Sequence, residues 1–185
     1  VFCINALAPF VLNGRLRPLL EKSPHPTRYI VNVSAMEGKF YRYKQATHPH
    51  TNMAKAALNM MTRTSAEDFA RTSRIFMNSV DTGWINDENP LPTAQRIAAD
   101  HGFQTPIDEV DAAARILDPI VAGVRVAAKA AQCPGTSGGQ RPRKGGGGGG
   151  GGGAARTGVG PSEAGGEGLE PPWGRFLKDY APTEW

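Results

Sequence analysis

The sequence predicts an α/β fold built on a parallel sheet. Two short runs rich in β-branched and aromatic residues, at 29–33 and 74–80, are typical of strands buried on both faces. Between them, residues 51–71 carry apolar side chains at helical spacing. A strand, a helix and a second strand in that order indicate parallel pairing, and ligands of such sheets bind outside the carboxyl ends of the strands.

The chain up to the second strand divides into two helices and a strand. Apolar residues recur at helical spacing over residues 1–20, which predicts a helix packed on the sheet. After the strand at 29–33, residues 39–50 are polar and aromatic and contain Pro49, which predicts a loop. The helix at 51–71 then carries apolar residues along one face: Ala54, Leu58, Met61 and Phe69.

Beyond the second strand the pattern predicts a loop at 86–92, a short helix at 94–103 and a longer helix at 105–123. Pro106 and the acidic residues that follow it signal the start of the longer helix, because proline and carboxylates are favoured near the positive end. Three residues are expected to close this helix: Asp118, Pro119 and Gly123. A last strand is expected near the carboxyl end, with Phe176, Leu177 and Tyr180.

A glycine-rich tract divides the predicted fold. Residues 125–172 hold 17 of the 23 glycines, with nine in succession at 145–153, and almost no large apolar residue. Such a tract buries too little surface to offset its conformational entropy. We therefore expect a disordered insertion at 125–172, which interrupts a single domain made of residues 1–124 and 173–185.

The composition excludes several classes of function. The formal net charge is +4, but the basic residues are scattered, and the densest cluster, at 141–144, lies in the glycine-rich tract, so we do not expect nucleic acid as a partner. Cys3 and Cys133 predict neither a disulfide framework nor a thiolate metal site, and we expect a reducing, cytoplasmic compartment. No apolar run is long enough to span a bilayer, and we expect no membrane partner.

The start, VFCINALAPFVL, lacks an initiator methionine, so we expect it to lie inside a longer fold.

Four segments in order resemble the carboxyl-terminal half of the short-chain dehydrogenase/reductase family, over residues 1–124 and 173–185. INALAPFVL resembles the helix that carries the family's asparagine, and IVNVSAMEG resembles its serine strand. HTNMAKAALNM resembles its tyrosine and lysine helix, and NSVDTGW resembles the proline and glycine turn after the next strand.

The resemblance implies a fold, a cofactor and a reaction. The fold would be part of a doubly wound, Rossmann-like sheet, and the cofactor NAD or NADP. In the family a tyrosine is the general acid or base, and a lysine holds the nicotinamide ribose and lowers the tyrosine pKa. The serine orients the substrate carbonyl and the asparagine supports a proton relay. Hydride transfer to a carbonyl leaves an alkoxide that needs a proton, which explains the demand for an ionisable phenol.

Two of the four catalytic positions match by residue type. Asn5 stands at the asparagine position and Lys55 at the lysine position. The tyrosine, expected four residues before Lys55 and on the same helix face, is replaced by Thr51. The serine position holds Ala35, and the neighbouring Ser34 is expected to point to the opposite face of the strand.

The cofactor-binding turn is also altered. Thr82 replaces the family's proline, Gly83 follows it, and Ile85 lies where the family offers backbone groups to the nicotinamide carboxamide. Asp87 stands where a threonine is expected. The glycine-rich phosphate loop of the family would precede Val1, and the glycines of 145–153 lack the strand and helix that such a loop requires.

Several side chains near these motifs have two readings. His48 and His50 are substitute bases or metal ligands in one reading and solvent-facing loop residues in the other; no third ligand is evident, and no metal is predicted. Tyr41 and Tyr43 either replace the absent phenol or cover apolar surface. Trp84 either lines a substrate pocket or caps the core. The final residues LKDYAPTEW contact a second copy of the chain or form a solvated tail.

Two functions follow from the sequence. The first is a short-chain dehydrogenase/reductase-like protein, by resemblance an oxidoreductase of small-molecule carbonyls or alcohols, with little activity in this chain. The alternative is a non-catalytic binding or dimerisation module on the same scaffold. Thr51 and Ala35 favour the alternative, whereas Lys55 and Asn5 favour the first.

Overall fold

A computed structural model describes residues 1–44, 46–85, 106–132 and 170–185 of the chain. The helices are a π-helix Cys3–Leu7, α1 Ala8–Glu21, a 3₁₀ helix Met36–Gly38, α2 Pro49–Ser73 and α3 Glu109–Gln132. The strands are β1 Arg28–Ser34, β2 Ile75–Asp81, β3 Phe176–Lys178 and β4 Ala181–Thr183. The loop predicted at 86–92 and the short helix predicted at 94–103 lie outside the described residues.

The four strands form one sheet in the order β1-β2-β3-β4. β1 pairs with β2 in parallel over seven residues, and β2 pairs with β3 in parallel. β4 returns antiparallel to β3. The predicted α/β fold with a mostly parallel sheet is confirmed. The last strand is shorter than predicted, because Tyr180 lies in the tight turn between β3 and β4.

Helix α2 covers one face of the sheet and, together with β2, supplies much of the core. Its buried residues recur every three or four positions, so they form one stripe: Ala54, Leu58, Asn59, Thr62, Ala66, Phe69, Ala70 and Ser73. Ala66 and Phe69 pack with Ile75 and Met77 of β2, whose seven residues are all buried. Burial on both faces explains why the apolar residues of β2 do not alternate strictly with exposed polar ones.

The start of α2 differs from the prediction. Pro49 belongs to the helix instead of the preceding loop, at the first helical position, where its missing N–H is not needed. His48 precedes it with φ of 63°, in the left-handed region. Lys55 therefore lies in the second turn of the helix.

Helix α1 packs on the sheet less closely than predicted. None of its residues is fully buried, and the turn before it is a π-helix instead of a regular α-helical turn. One contact with the sheet is polar, since the Asn13 side-chain amide donates to Asn32 Oδ1 of β1 at 3.1 Å. Arg17 joins α1 to α2 by donating to Asp68 at 2.7 Å and to Thr72 at 2.6 Å.

Helix α3 extends beyond its predicted end. The prediction that Asp118, Pro119 and Gly123 close it is wrong, because Pro119 lies inside the helix, which continues to Gln132. Gly123 lies where α3 crosses β1, and a Cβ there would fall 2.5 Å from Tyr29 Cε1. The glycine thus permits a close approach, and the alanine-rich residues after it propagate the helix.

The predicted bounds of the glycine-rich tract, 125–172, differ from the ends of the neighbouring segments in the structure. Its first residues, 125–132, are helical, and 133–169 lie outside the described residues. At the other end, the chain already runs beside β2 before residue 173, because Asn78 Nδ2 donates to the Pro172 carbonyl at 2.8 Å. Gly174 and Arg175 continue this contact through backbone bonds to Met77 and Ser79.

Candidate functional site

The described residues contain two sizeable cavities. An apolar groove of about 450 Å³ lies between α1 and α2, with Phe10, Met61 and Phe69 in its wall. An open cleft of about 1170 Å³ lies at the carboxyl ends of the parallel strands. The cleft carries ionisable side chains from β2, α2, α3 and the β3–β4 turn, whereas the groove carries one arginine, so the cleft is the candidate site.

Lys55 brings an amine into this cleft. Its Nζ donates to the Val33 carbonyl near the end of β1 at 3.1 Å, and the residue is half-buried. Desolvation lowers the pKa of Lys55, and the negative charges of Glu37 and Asp81 partly oppose the shift. Within the described residues, no carboxylate forms an ion pair with Lys55.

Thr51 lies one helical turn before Lys55 and borders the same cleft. The four-residue spacing places both side chains on one face of α2, as the sequence predicts for the lysine and its partner. The Thr51 hydroxyl does not ionise near neutral pH. Thr51 and Lys55 together therefore provide the amine but not the phenol that the resembled family places beside it.

Ser34 and Ala35 occupy different environments at the end of β1. The Ser34 hydroxyl donates to Asn59 Oδ1 of α2 at 2.5 Å, and Ser34 is buried although it borders the cleft. Ala35 is half-buried and also borders the cleft. The Ser34 hydroxyl is therefore engaged by the helix, which agrees with the opposite facing of neighbouring strand residues.

Asn5 does not reach the cleft. It lies in the π-helix, and both its backbone N–H and its side-chain amide donate to the Val1 carbonyl, at 3.0 Å and 3.2 Å. The structure thus brings Lys55, Thr51 and Ser34 to one cleft and leaves Asn5 outside it.

The turn after β2 borders the cleft through all three predicted cofactor-binding residues, Thr82, Gly83 and Ile85. Gly83 has φ of 80°, a left-handed conformation that suits glycine. Ile85 forms a parallel bridge with Ile107, which joins this turn to the segment before α3. Asp87 lies outside the described residues.

Asp81 is a residue of the cleft that the sequence analysis missed. Its buried carboxylate accepts the Gly83 N–H at 2.8 Å and the Met36 N–H at 3.2 Å. Lys178 Nζ lies 3.4 Å from the same carboxylate. Asp81 therefore ties together the turns that follow β1 and β2. The signal in the sequence is an aspartate directly after an apolar strand.

A second polar network that the sequence analysis missed closes one side of the cleft. Arg115 of α3 forms ion pairs with Asp111, at 3.2 Å, and with Asp179 of the β3–β4 turn. The Tyr180 hydroxyl donates to Asp111 at 2.8 Å. This hydrogen bond and the Arg115 guanidinium lower the pKa of Asp111, and Arg115 lowers the pKa of Asp179. The network holds the turn against α3.

Of the other side chains that allow two interpretations, three border the cleft and one contacts the carboxyl-terminal strand. Tyr43, His48 and Trp84 border the cleft, and all three are exposed. Tyr41 instead accepts from Lys39 Nζ at 3.2 Å, a bond that lowers the pKa of Tyr41, and Lys39 also donates to Thr183 of β4.

Neither a metal cluster nor a membrane span is found in the part of the chain that the structure describes. Its histidine, cysteine and carboxylate side chains form no group of three that could hold a metal ion. None of its helices is both long enough and apolar enough to cross a bilayer.

Comparison with known proteins finds a sequence relative and several similar solved structures, each of which matches only part of this chain. No family model matches the chain. An uncharacterized protein of Acanthamoeba polyphaga mimivirus is 37% identical over 122 residues, which is 63% of this chain and 25% of that protein.

Among solved structures, a carbonyl reductase from chicken fatty liver with NADPH bound is 28% identical. Its TM-score is 0.41, and the match covers 46% of this chain and 36% of that chain. The carbonyl reductase Sniffer of D. melanogaster is 22% identical, with a TM-score of 0.38 and coverage of 59% and 49%. The chain thus spans about a quarter of the viral relative's length and less than half of either reductase.

Proposed function

We propose that the cleft binds the nicotinamide end of NAD or NADP, as in a short-chain dehydrogenase/reductase, and that this chain catalyses little or no oxidoreduction. The observation that carries the proposal is the position of Lys55. Its amine lies at the carboxyl ends of the parallel strands, where nucleotides bind in sheets of this type, and it faces an open cleft. The order and spacing of the four sequence motifs supply the second argument.

The low activity follows from the residues beside Lys55. Thr51 occupies the position of the proton donor, and Ala35 occupies the position of the serine that would orient a carbonyl. The nearest serine hydroxyl, of Ser34, is held by Asn59. Without a phenol at position 51, one helical turn from the lysine, the alkoxide formed by hydride transfer would lack the family's proton donor.

Binding is tested with nicotinamide mononucleotide, because this fragment does not need the loop that holds the pyrophosphate. We expect saturation-transfer NMR signals from the nicotinamide and ribose protons with the wild-type chain and a clear loss with Lys55→Met. Lys22→Met, at an exposed lysine outside the cleft, is the matched control and should leave the signals unchanged. Absence of signal in the wild type, or equal signal in Lys55→Met, would overturn the proposal.

Turnover is tested by restoring the phenol. With NADPH and an aromatic aldehyde, the wild-type chain should consume no cofactor above background. Thr51→Tyr should raise the rate by about 100-fold over the wild type, the lower end of the gain that a positioned acid gives. A wild-type rate equal to that of Thr51→Tyr would contradict the proposed inactivity.

A second candidate function, a non-catalytic binding or dimerisation module without a nucleotide, is favoured by the outer surface of α1. Large apolar side chains are exposed along it, among them Leu12, Leu16 and Leu19. The mononucleotide experiment separates the two candidates, because this module would give no signal that depends on Lys55.

A further inference from the structure

The lysines of the described residues differ sharply in their surroundings. Lys39 is buried and donates to Tyr41, Thr183 and the Glu184 carbonyl, and Lys178 is ion-paired with Asp81 and Asp179. Lys44 is exposed and donates to the Glu37 carbonyl. The other two outside the cleft, Lys22 and Lys129, are exposed.

Lys55 alone among these lysines combines partial burial, an open cleft and no carboxylate partner. Within the described parts of the chain, its hydrogen bond goes to an uncharged acceptor, the Val33 carbonyl. A neutral amine keeps an N–H for such a bond and still has a lone pair, whereas a carboxylate partner would hold the amine in its charged form. This geometry suits a nucleophile.

We propose that Lys55 is a nucleophilic amine that captures a small aldehyde in the cleft as a reversible imine. The nitrogen lone pair adds to the carbonyl carbon, the amine loses a proton and the carbonyl oxygen gains one. The resulting carbinolamine releases water and leaves a C=N bond. No atom is oxidised or reduced, and no cofactor takes part, so the proposal does not depend on nucleotide binding.

The surroundings of Lys55 favour its neutral form. Burial lowers its pKa, and this effect exceeds the opposing attraction of Glu37, on the 3₁₀ helix, and Asp81, at the end of β2. Buried or partly buried lysines of this kind are the ones that serve as imine-forming residues in enzymes. Four other cations of the described residues line the cleft. Lys178 and Arg115 are paired with carboxylates, whereas Arg42 and Lys44 are exposed and so lack the partial burial of Lys55.

The cleft also indicates which aldehyde fits. Thr51, one turn from Lys55, presents a short side chain where the related family has a phenol, so the space beside the amine is wider. We therefore assign a small aldehyde to this site.

Reductive trapping tests the proposal on the wild-type chain. Propanal and sodium cyanoborohydride are added at pH 7, and peptide mass spectrometry follows propylation at each lysine over time. Because desolvation leaves more of the Lys55 amine neutral, we expect Lys55 to react at least about threefold faster than the exposed Lys22 and Lys129. The difference should narrow as the pH rises towards 10, where more of every amine is neutral.

Two controls distinguish an effect of the fold on the propylation rate of Lys55 from the intrinsic reactivity of a lysine. In urea sufficient to unfold the chain, the rates at Lys55, Lys22 and Lys129 should become equal. Lys55→Arg keeps the positive charge and should leave the rates at Lys22 and Lys129 unchanged. Propylation of Lys55 in the folded chain at or below the rate of Lys22 would overturn the proposal.

Adding nicotinamide mononucleotide to the propylation reaction distinguishes nucleotide binding in the cleft from imine formation at Lys55. Protection of Lys55 would support nucleotide binding at the same cleft. Fast propylation without protection would support imine formation and count against nucleotide binding.

Discussion

At the scale of single residues, a polar layer runs through the contact between α2 and the sheet. Thr62 of α2 is fully buried and accepts hydrogen bonds from Asn32 of β1 and Ser79 of β2, both at 2.9 Å. Its own hydroxyl donates to the Leu58 carbonyl at 3.1 Å. Because every bond in this layer is buried, one hydroxyl satisfies two donors that would otherwise have no partner.

The removal of this hydroxyl should therefore destabilise the fold. We expect Thr62→Val, which keeps the shape of the side chain, to lower the free energy of unfolding by about 2–4 kcal/mol, since two buried donors lose their acceptor. Urea unfolding followed by circular dichroism measures the change. Thr64→Val, two residues along the same helix at an exposed position, is the matched control and should change stability by less than about 0.5 kcal/mol. Equal midpoints for the two variants would show that the layer contributes nothing.

Part of the candidate site could be predicted at this scale. The positions of Lys55 and Thr51 follow from helical spacing, and the inward facing of Ser34 follows from strand alternation. Asp81 and Arg115 could not be assigned in this way, because each also has partners that are distant along the chain and meet it only in the folded molecule: Met36 and Lys178 for Asp81, and Asp179 for Arg115. The prediction for Asn5 rests on its motif alone, and the distance of the π-helix from the cleft is not encoded in local spacing.

At the scale of elements, glycine has two distinct roles that the sequence alone does not separate. Gly83 has a left-handed backbone, and a Cβ there would collide with Ile107, so the turn that joins β2 to the segment before α3 requires glycine. Gly14 lies in α1, where a Cβ would meet no atom within 4 Å, so the helix does not require it. The sequence pattern predicts a helix end at Gly123, whereas in the structure this glycine allows α3 to pass close to Tyr29.

These roles predict opposite effects of the same substitution. Gly83→Ala should lower the free energy of unfolding by about 1–3 kcal/mol, because the added methyl group meets both backbone strain and Ile107. Gly14→Ala should raise it by about 0.5–1 kcal/mol through higher helix propensity. Thermal and urea unfolding of the two variants beside the wild type give the measurement. A destabilised Gly14→Ala, or an unchanged Gly83→Ala, would contradict the assignment of the two glycines.

At the scale of the whole molecule, the fold has a well-packed centre and an apolar outer surface. β2 is buried throughout, whereas the π-helix and α1 expose large apolar side chains such as Ile4 and Phe10. No described strand pairs with the free side of β1. Because so much apolar surface is exposed, we expect the chain to be only marginally stable in isolation. Contacts between segments distant in sequence then matter more for its stability. Arg115 makes such a contact, since it joins α3 to the β3–β4 turn.

The Arg115 network should make stability depend on pH in a specific direction. The pKa of Asp111, lowered by Tyr180 and Arg115, and the pKa of Asp179, lowered by Arg115, lie below their ordinary values in the folded chain. A lowered carboxyl pKa stabilises the folded state above the unfolded pKa of about 3.9, and this stabilisation is lost as the pH falls through the folded value. Arg115→Gln should therefore unfold at lower urea than the wild type at pH 6, and the difference between their unfolding midpoints should narrow as the pH falls below about 4 towards the lowered pKa values of the folded chain. Arg71→Gln removes an exposed ion pair with Glu67 and is the control, and its unfolding midpoint should differ little from that of the wild type at either pH.

The difference for Arg115→Gln could instead stay constant between pH 6 and pH 3. The arginine would then act through packing on Tyr180, whose ring lies 5.4 Å from the guanidinium, and not through charge.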